Sequence, residues 1–138
     1  MMRAVRFGPT SFRITRADVV RYAGASTDFN PIHWSDRMAT TLGLPGVIAH
    51  GLFTMGLALK TVTDWVGDPA KVRSYKCRFA APVVLPDNDE GAEVKLIGKV
   101  THFGDPYWTI HFEVLGANGA KVLTKVDLEV EPPEGAAS

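Results

Sequence analysis

Between Tyr22 and His33 the chain reads YAGASTDFNPIH. It places a carboxylate, Asp28, a carboxamide, Asn30, and an imidazole, His33, within six residues. A carboxylate and an imidazole together can accept and donate a proton near neutral pH. Pro31 restricts Asn30 to extended conformations, so a helix cannot run through the group. The three side chains are therefore expected on a rigid loop, where they can converge on one point. Taken alone, D-x-N-P-x-H reads better as a turn stabilised by Asp28 and Asn30, with His33 at the surface.

The elements that must hold this loop are legible on either side of it. Phe12 and Ile14 flank Arg13 and predict a short first strand, after residues 1–9 that read as poorly ordered with Gly8-Pro9 as a breaker. Thr15, with Asp18 three residues on, predicts a capped helix carrying Val19, Val20 and Ala23 and closed by Gly24. Ser35 caps a second short helix with Met38, Ala39 and Leu42 on its apolar side, ending at Gly43. A longer helix is expected from about Ala49 to Trp65, apolar nearly all round in its first two turns and so enclosed by other structure, with Gly67-Asp68-Pro69 as its stop. Everything after Pro69 alternates with period two. Arg73, Tyr75, Cys77 and Phe79 form one side of a strand, and Val94, Leu96, Gly98 and Val100 another. Trp108, Ile110, Phe112 and Val114 make a third, and Val122, Thr124, Val126, Leu128 and Val130 a fourth. Turn residues at Pro86–Gly91, Gly104-Asp105-Pro106 and Ala117-Asn118-Gly119 separate them, and residues 132–138 read as a frayed tail. The expected fold is α+β: one domain over residues 1–138, an antiparallel sheet wrapped around a central helix, with sheet edge left for a partner subunit.

The loop and the start of the central helix together carry a likeness. Tyr22, Gly24, Ser26, Asp28, Asn30, Pro31, Ile32, His33 and Ala39, followed by IAHGLFTMG at Ile48–Gly56, resemble the signature of the MaoC-like, (R)-specific enoyl-thioester hydratase/dehydratase family of hot-dog proteins. The resemblance covers residues 12–131, with Thr27 standing where the signature usually has Gly. YAGASTDFNPIHWSD, IAHGLFTMG, WVGDP and YKCRFAAPVVLP are similar, more narrowly, to catalytic subunits of heterodimeric (3R)-hydroxyacyl-ACP dehydratases of mycolic-acid-type elongation.

The resemblance implies reversible dehydration of (3R)-hydroxyacyl thioesters to trans-2-enoyl thioesters, with an acyl-CoA or acyl-ACP substrate. It implies that Asp28 and His33 share the proton work through one water, that Asn30 orients the pair or the water, and that the Gly51 N–H is the donor to the thioester oxygen. A helix N-terminus also offers unpaired N–H groups and a favourable dipole there, and glycine lets substrate come close. A homodimer, or a heterodimer with a related hot-dog subunit, is expected. The competing readings are a non-catalytic hot-dog partner that shapes an acyl tunnel, which the presence of both Asp28 and His33 opposes, and a hot-dog thioesterase.

Composition sets outer bounds. The 138 residues are 46% hydrophobic and 22% charged, and 15 basic residues balance 15 acidic ones. Such a chain has no broad field for nucleic acid or an anionic membrane. The apolar run Val47–Val66 is broken by His50, Lys60 and Asp64 and is short for a membrane span. The start of the chain has no signal-peptide pattern, so a cytoplasmic protein is expected. Cys77 is single, the histidines are scattered, residues 87–90 lack a calcium-loop register, and no phosphate loop or dinucleotide fingerprint occurs. No metal or organic cofactor is implied. His50 is read as a packed or capping histidine ahead of a proton-transfer role, and His102 and His111 as structural. Trp65, Tyr107, Trp108 and Phe112 are assigned to core or interface. For Arg73, Lys76 and Arg78 a solvated face is preferred to contact with the phosphates of an acyl carrier.

Overall fold

The structure is a computed structural model and describes residues 5–135. Five strands form one antiparallel sheet: β1 (Arg6–Ile14), β2 (Val72–Phe79), β3 (Ala92–Phe103), β4 (Trp108–Leu115) and β5 (Lys121–Val130), in the order β1-β3-β4-β5-β2. In β4, Trp108, Ile110, Phe112 and Val114 are buried while the residues between them are half-exposed, as a pleated strand with one face on the core requires. The buried faces of β3 and β5 continue this surface. Against it lies α3 (Gly51–Val66), whose buried Thr54, Ala58, Val62 and Val66 recur every four residues. This is the wrapped-helix arrangement expected from the sequence.

Helix α1 (Arg16–Ser26) precedes the candidate loop and α2 (Asp36–Thr41) follows it. The Thr15 side chain accepts from the Asp18 N–H and Asp18 accepts from the Thr15 N–H, so the predicted capping box forms. The helix passes Gly24 and ends at Ser26. Ser35 caps α2, as predicted. Among the described residues no helix is long and apolar enough to cross a membrane.

Besides the later end of α1, four expectations are corrected. The first strand begins at Arg6: Gly8, at φ +78, takes up a bulge between Phe7 and Thr10, and Pro9 is tolerated because β1 is an edge strand. Of the stretch read as poorly ordered, residues 1–4 lie outside the described residues, as do 136–138 of the tail. Helix α3 is not enclosed on all sides; Leu52 is 64% exposed, because one sheet covers one helix face. Bulges at Val72/Ser74 and Lys76/Arg78 break the period of β2, so Tyr75 and Cys77 pack on the core while Phe79 turns outward. Lys125, at φ 50, similarly changes the parity of β5: Val122 and Leu123 are both buried, and Thr124 is not.

Gly98 fits the sheet only without a side chain. A Cβ there would stand 2.5 Å from Phe112 Cβ and 2.9 Å from the His111 carbonyl oxygen. Gly98→Ala is therefore expected to destabilise the fold by about 1–3 kcal/mol through overpacking, read from urea unfolding.

Candidate active site

The loop between α1 and α2 is built from short side chains closing on their own backbone. Asp28 Oδ1 accepts the Asn30 N–H at 3.2 Å, and Asn30 Oδ1 accepts the Ile32 N–H at 3.2 Å. These are successive Asx turns, and Pro31 opens the 3-10 turn Pro31–His33 that follows. Asn30 thus shapes the turn that delivers His33, and its oxygen is engaged there rather than on the histidine. Thr27 enters the loop at φ 62, in the left-handed region that a β-branched residue occupies with strain. Thr27→Gly is expected to raise stability by about 1 kcal/mol, seen as a higher melting temperature.

His33 is 7% exposed, and its Nδ1 lies 2.8 Å from the Ile48 carbonyl oxygen. A carbonyl only accepts, so Nδ1 carries the hydrogen and the neutral ring presents a bare Nε2. Ile48 is fixed in turn by backbone bonds: its N–H donates to Ile32 O at 3.1 Å, the Ala49 N–H to Val83 O at 3.0 Å, and the Leu85 N–H to Val47 O at 2.8 Å. Asp36 anchors the same stretch by accepting the Val47 N–H at 3.0 Å while receiving both Arg16 NH groups at 2.9 Å. The bonds from Arg16, with that from Val47, hold the Asp36 carboxyl below its ordinary range.

Burial pushes the His33 imidazole below its ordinary value of 6.5, against the opposing pull of the Ile48 bond. A base needed neutral therefore stays neutral to lower pH than a free histidine. The NMR titration of His33 is expected to have its midpoint below 6.5, and the acid limb of any rate it governs to lie there too.

Donor atoms of Asp28, His33 and His50 all lie within 4.8 Å of one another. The carboxylate and imidazole read from the sequence do converge. Beside them α3 begins at Gly51, and no side chain caps it. Its first N–H groups are the positive end of the helix dipole. A cavity of about 260 Å³ joins His33 to the start of α3, with His33, Gly51, Thr54, Phe79, Val83 and Leu123 in its wall. Asp28, which is exposed, is not among its lining residues.

Three nitrogen and oxygen donors so close invite a metal. The geometry opposes one. The His33 and His50 rings are stacked, with centroids 3.7 Å apart and planes at 24°. Stacked imidazoles direct their in-plane lone pairs side by side, not at a shared point. The N–H groups at His33 Nδ1 and His50 Nε2 are donated to the carbonyls of Ile48 and Asp28, so the bare nitrogens are His33 Nε2 and His50 Nδ1, one in each of the two stacked planes. As built, the cluster suits proton handling.

A family model described as "MaoC like domain" matches residues 5–113. The chain belongs to the MaoC-like family. Among curated relatives, this MaoC-like chain is 43% identical over 74 residues to 3-hydroxyacyl-thioester dehydratase X of Mycobacterium tuberculosis, covering 54% of the chain and 25% of that protein. It is 32% identical over 114 residues to the fatty acid synthase subunit beta of Saccharomyces cerevisiae, covering 81% of the chain and 5% of that protein. The chain thus spans a quarter or less of the length of these two relatives. A solved structure of a MaoC-like dehydratase matches with a TM-score of 0.89 at 32% identity, over 96% of this chain and 41% of that one. The (R)-hydratase from A. caviae involved in PHA biosynthesis matches with a TM-score of 0.77 at 24% identity, over 94% and 95% of the two chains, which shows the shared hot-dog fold.

Of the remaining sequence candidates, all but His50 fall outside this site. His111 Nδ1 lies 2.7 Å from Val126 O in the sheet, and His102 is exposed on β3. Trp108 and Phe112 are core residues, and Trp65 packs edge-on against Phe7 at 4.7 Å. The Arg73 guanidinium sits 4.8 Å over the Tyr107 ring, while Lys76 and Arg78 are exposed. His50 is packed and gives α3 no side-chain cap. Two contributions escaped the sequence. The Ile48 carbonyl that sets the His33 tautomer is backbone, which leaves no side-chain signal. The Phe79 ring, read as sharing one side of a strand with Arg73, Tyr75 and Cys77, lies over Gly51, within 3.1–3.2 Å of where a Cβ would be; the broken period of β2 hid it.

Proposed function

We propose that this chain is a catalytic hot-dog domain that interconverts (3R)-hydroxyacyl thioesters and trans-2-enoyl thioesters plus water. The observation that carries the reading is the convergence of Asp28 and His33, with its bare Nε2, beside the uncapped start of α3. The names of the relatives support the same class: one is a 3-hydroxyacyl-thioester dehydratase and another a fatty acid synthase subunit.

In the hydration direction a water adds to C3 and a proton arrives at C2, while enolate charge gathers on the thioester oxygen. Asp28 and His33 hold the water between them and share both proton movements. The Gly51 N–H and the helix dipole stabilise the developing oxyanion. Acyl-CoA and acyl-ACP are both carriers of the required thioester. Phe79, Val83 and Leu123 give the acyl chain an apolar wall.

The hot-dog unit leaves sheet edge at β1 and β2, and a dimer, with itself or with a related subunit, would cover exposed strand. One structure of the same fold is that of the ChsH1–ChsH2 complex from Mycobacterium tuberculosis, which matches with a TM-score of 0.79 at 22% identity. Light scattering on the purified chain, alone and with a candidate partner, is expected to give a dimer; a fully active monomer would contradict this.

The activity is tested with a graded series of trans-2-enoyl-CoA and enoyl-ACP thioesters, following loss of enoyl absorbance. Hydration to the (3R) product is expected. Release of free thiol without hydration would replace this reading with a thioesterase.

A further inference from the structure

His50 touches both members of the Asp28–His33 pair. Its ring is stacked on His33 with centroids 3.7 Å apart, and its Nε2 lies 3.1 Å from the Asp28 backbone oxygen. Tyr22, from α1, packs against it edge-on at 4.7 Å. The side chain is 2% exposed, and its Nδ1 is buried with no hydrogen-bond partner.

These facts fix its state. The Asp28 carbonyl can only accept, so Nε2 carries the hydrogen. The orphaned Nδ1 is then a bare lone pair, since a second N–H buried without a partner would add an unmet donor and a charge against a stacked imidazole. His50 therefore has one tautomer, set from the Asp28 side, and its flat face is set against His33. The bonds otherwise made by residues 28–30 are local: the Asp28 N–H to Ser26 Oγ at 3.2 Å, the Asn30 N–H to Asp28 Oδ1 at 3.2 Å, and Phe29 O from Trp34 Nε1 at 3.0 Å. The bond from His50 ties the Asp28 end of the loop to the residue that precedes α3, as the Ile48 backbone ties its Ile32 and His33 end. Phenylalanine could stack but not donate, and glutamine could donate but not stack.

We infer that His50 is a positioning residue for the dehydratase reaction, holding the Asp28 backbone through Nε2–H and the plane of His33 through its ring. The inference rests on the proposed function for its catalytic meaning, though the geometry it claims can be measured without turnover. It does not make His50 an acid or base. The titratable groups facing the two rings are Asp28, from the loop after α1, and Tyr22, from α1. The stacked ring also keeps water from one face of His33, where burial is the main cause of the lowered imidazole value.

Two measurements test this. Nitrogen-15 NMR of the wild-type protein should show His50 protonated on Nε2 and His33 on Nδ1; a His50 hydrogen on Nδ1 would overturn the inference. Three variants then separate tie from stack. His50→Ala should lower kcat by roughly 10²-fold with KM within a few-fold, as loss of alignment does, and move the His33 midpoint up toward 6.5. His50→Phe keeps the shielding ring and removes only the smaller charge effect of His50, so its midpoint should stay below that of His50→Ala while kcat is still lost. His50→Gln should recover part of the kcat lost in His50→Ala while its midpoint rises. A purely structural histidine would lower the melting temperature and leave both the kcat of the folded enzyme and the His33 midpoint unchanged in Phe and Gln, which would refute the proposal. If the wild type hydrates no enoyl thioester, the functional reading fails, while the tautomers and midpoints still decide whether His50 positions His33.

Discussion

Replacing Asp28 by Asn, or His33 by Asn, is expected to lower the rate of enoyl-thioester hydration by roughly 10²–10⁴-fold each. Both substitutions keep the hydrogen bonds that shape the loop, and an Asn at position 33 gives up only the ring stacked on His50. An Asn at position 28 retains an oxygen for the Asn30 N–H, and the exposed site places no packing demand on the new side chain. An Asn at position 33 can place an N–H where His33 Nδ1 meets Ile48 O, and lacks any counterpart of Nε2. The loss then falls on proton transfer and not on the fold, and melting temperatures should show it. Because the two groups act on one water, the double variant should cost about as much as either single one. Initial rates at saturating thioester decide the matter. Rates like those of the wild type for both variants would remove the pair from the mechanism.

The second large effect is expected at Gly51. Gly51→Pro should reduce kcat by roughly 10²–10³-fold, the loss of one oxyanion donor. The backbone accepts this change: Gly51 is the first residue of α3, where proline is favoured, and His50 at φ −61, ψ 132 already has the extended conformation that a following proline demands. Proline also brings a Cβ, which would meet the Phe79 ring at 3.1–3.2 Å. Gly51→Ala carries the same Cβ and keeps the N–H. The ratio of the two rates therefore isolates the hydrogen bond from crowding by Phe79. Equal kcat values for the proline and alanine variants would assign the oxyanion to another donor.

Much of this arrangement could be read from the residues, wherever the cause was local. Thr15 with Asp18, Ser35 before α2, and the alternation of Trp108 to Val114 are short-range signals, and each appears where its physics puts it. The convergence of Asp28 and His33 was foreseeable because Pro31 and two Asx turns hold them on one short loop. What escaped depends on contacts between distant segments. The edge position of β1 is what lets Gly8-Pro9 lie inside a strand rather than break it. The bulges that turn Phe79 outward and over Gly51 come from the pairing of β2 with β5. The stacking of His50 on His33 needs the start of α3 and the loop after α1 brought together, and neither segment alone announces it.

The central claim is that an Asp28–His33 pair beside the open end of α3 adds water across a carbon–carbon double bond and leaves the thioester whole. The direct test is to incubate the protein with trans-2-enoyl-CoA and enoyl-ACP in water enriched in oxygen-18 and to follow the products by mass spectrometry and chiral chromatography. The account predicts a (3R)-3-hydroxyacyl thioester with one heavy oxygen at C3 and no free thiol. Unlabelled enoyl thioester, or a free acid with its thiol released, would contradict it.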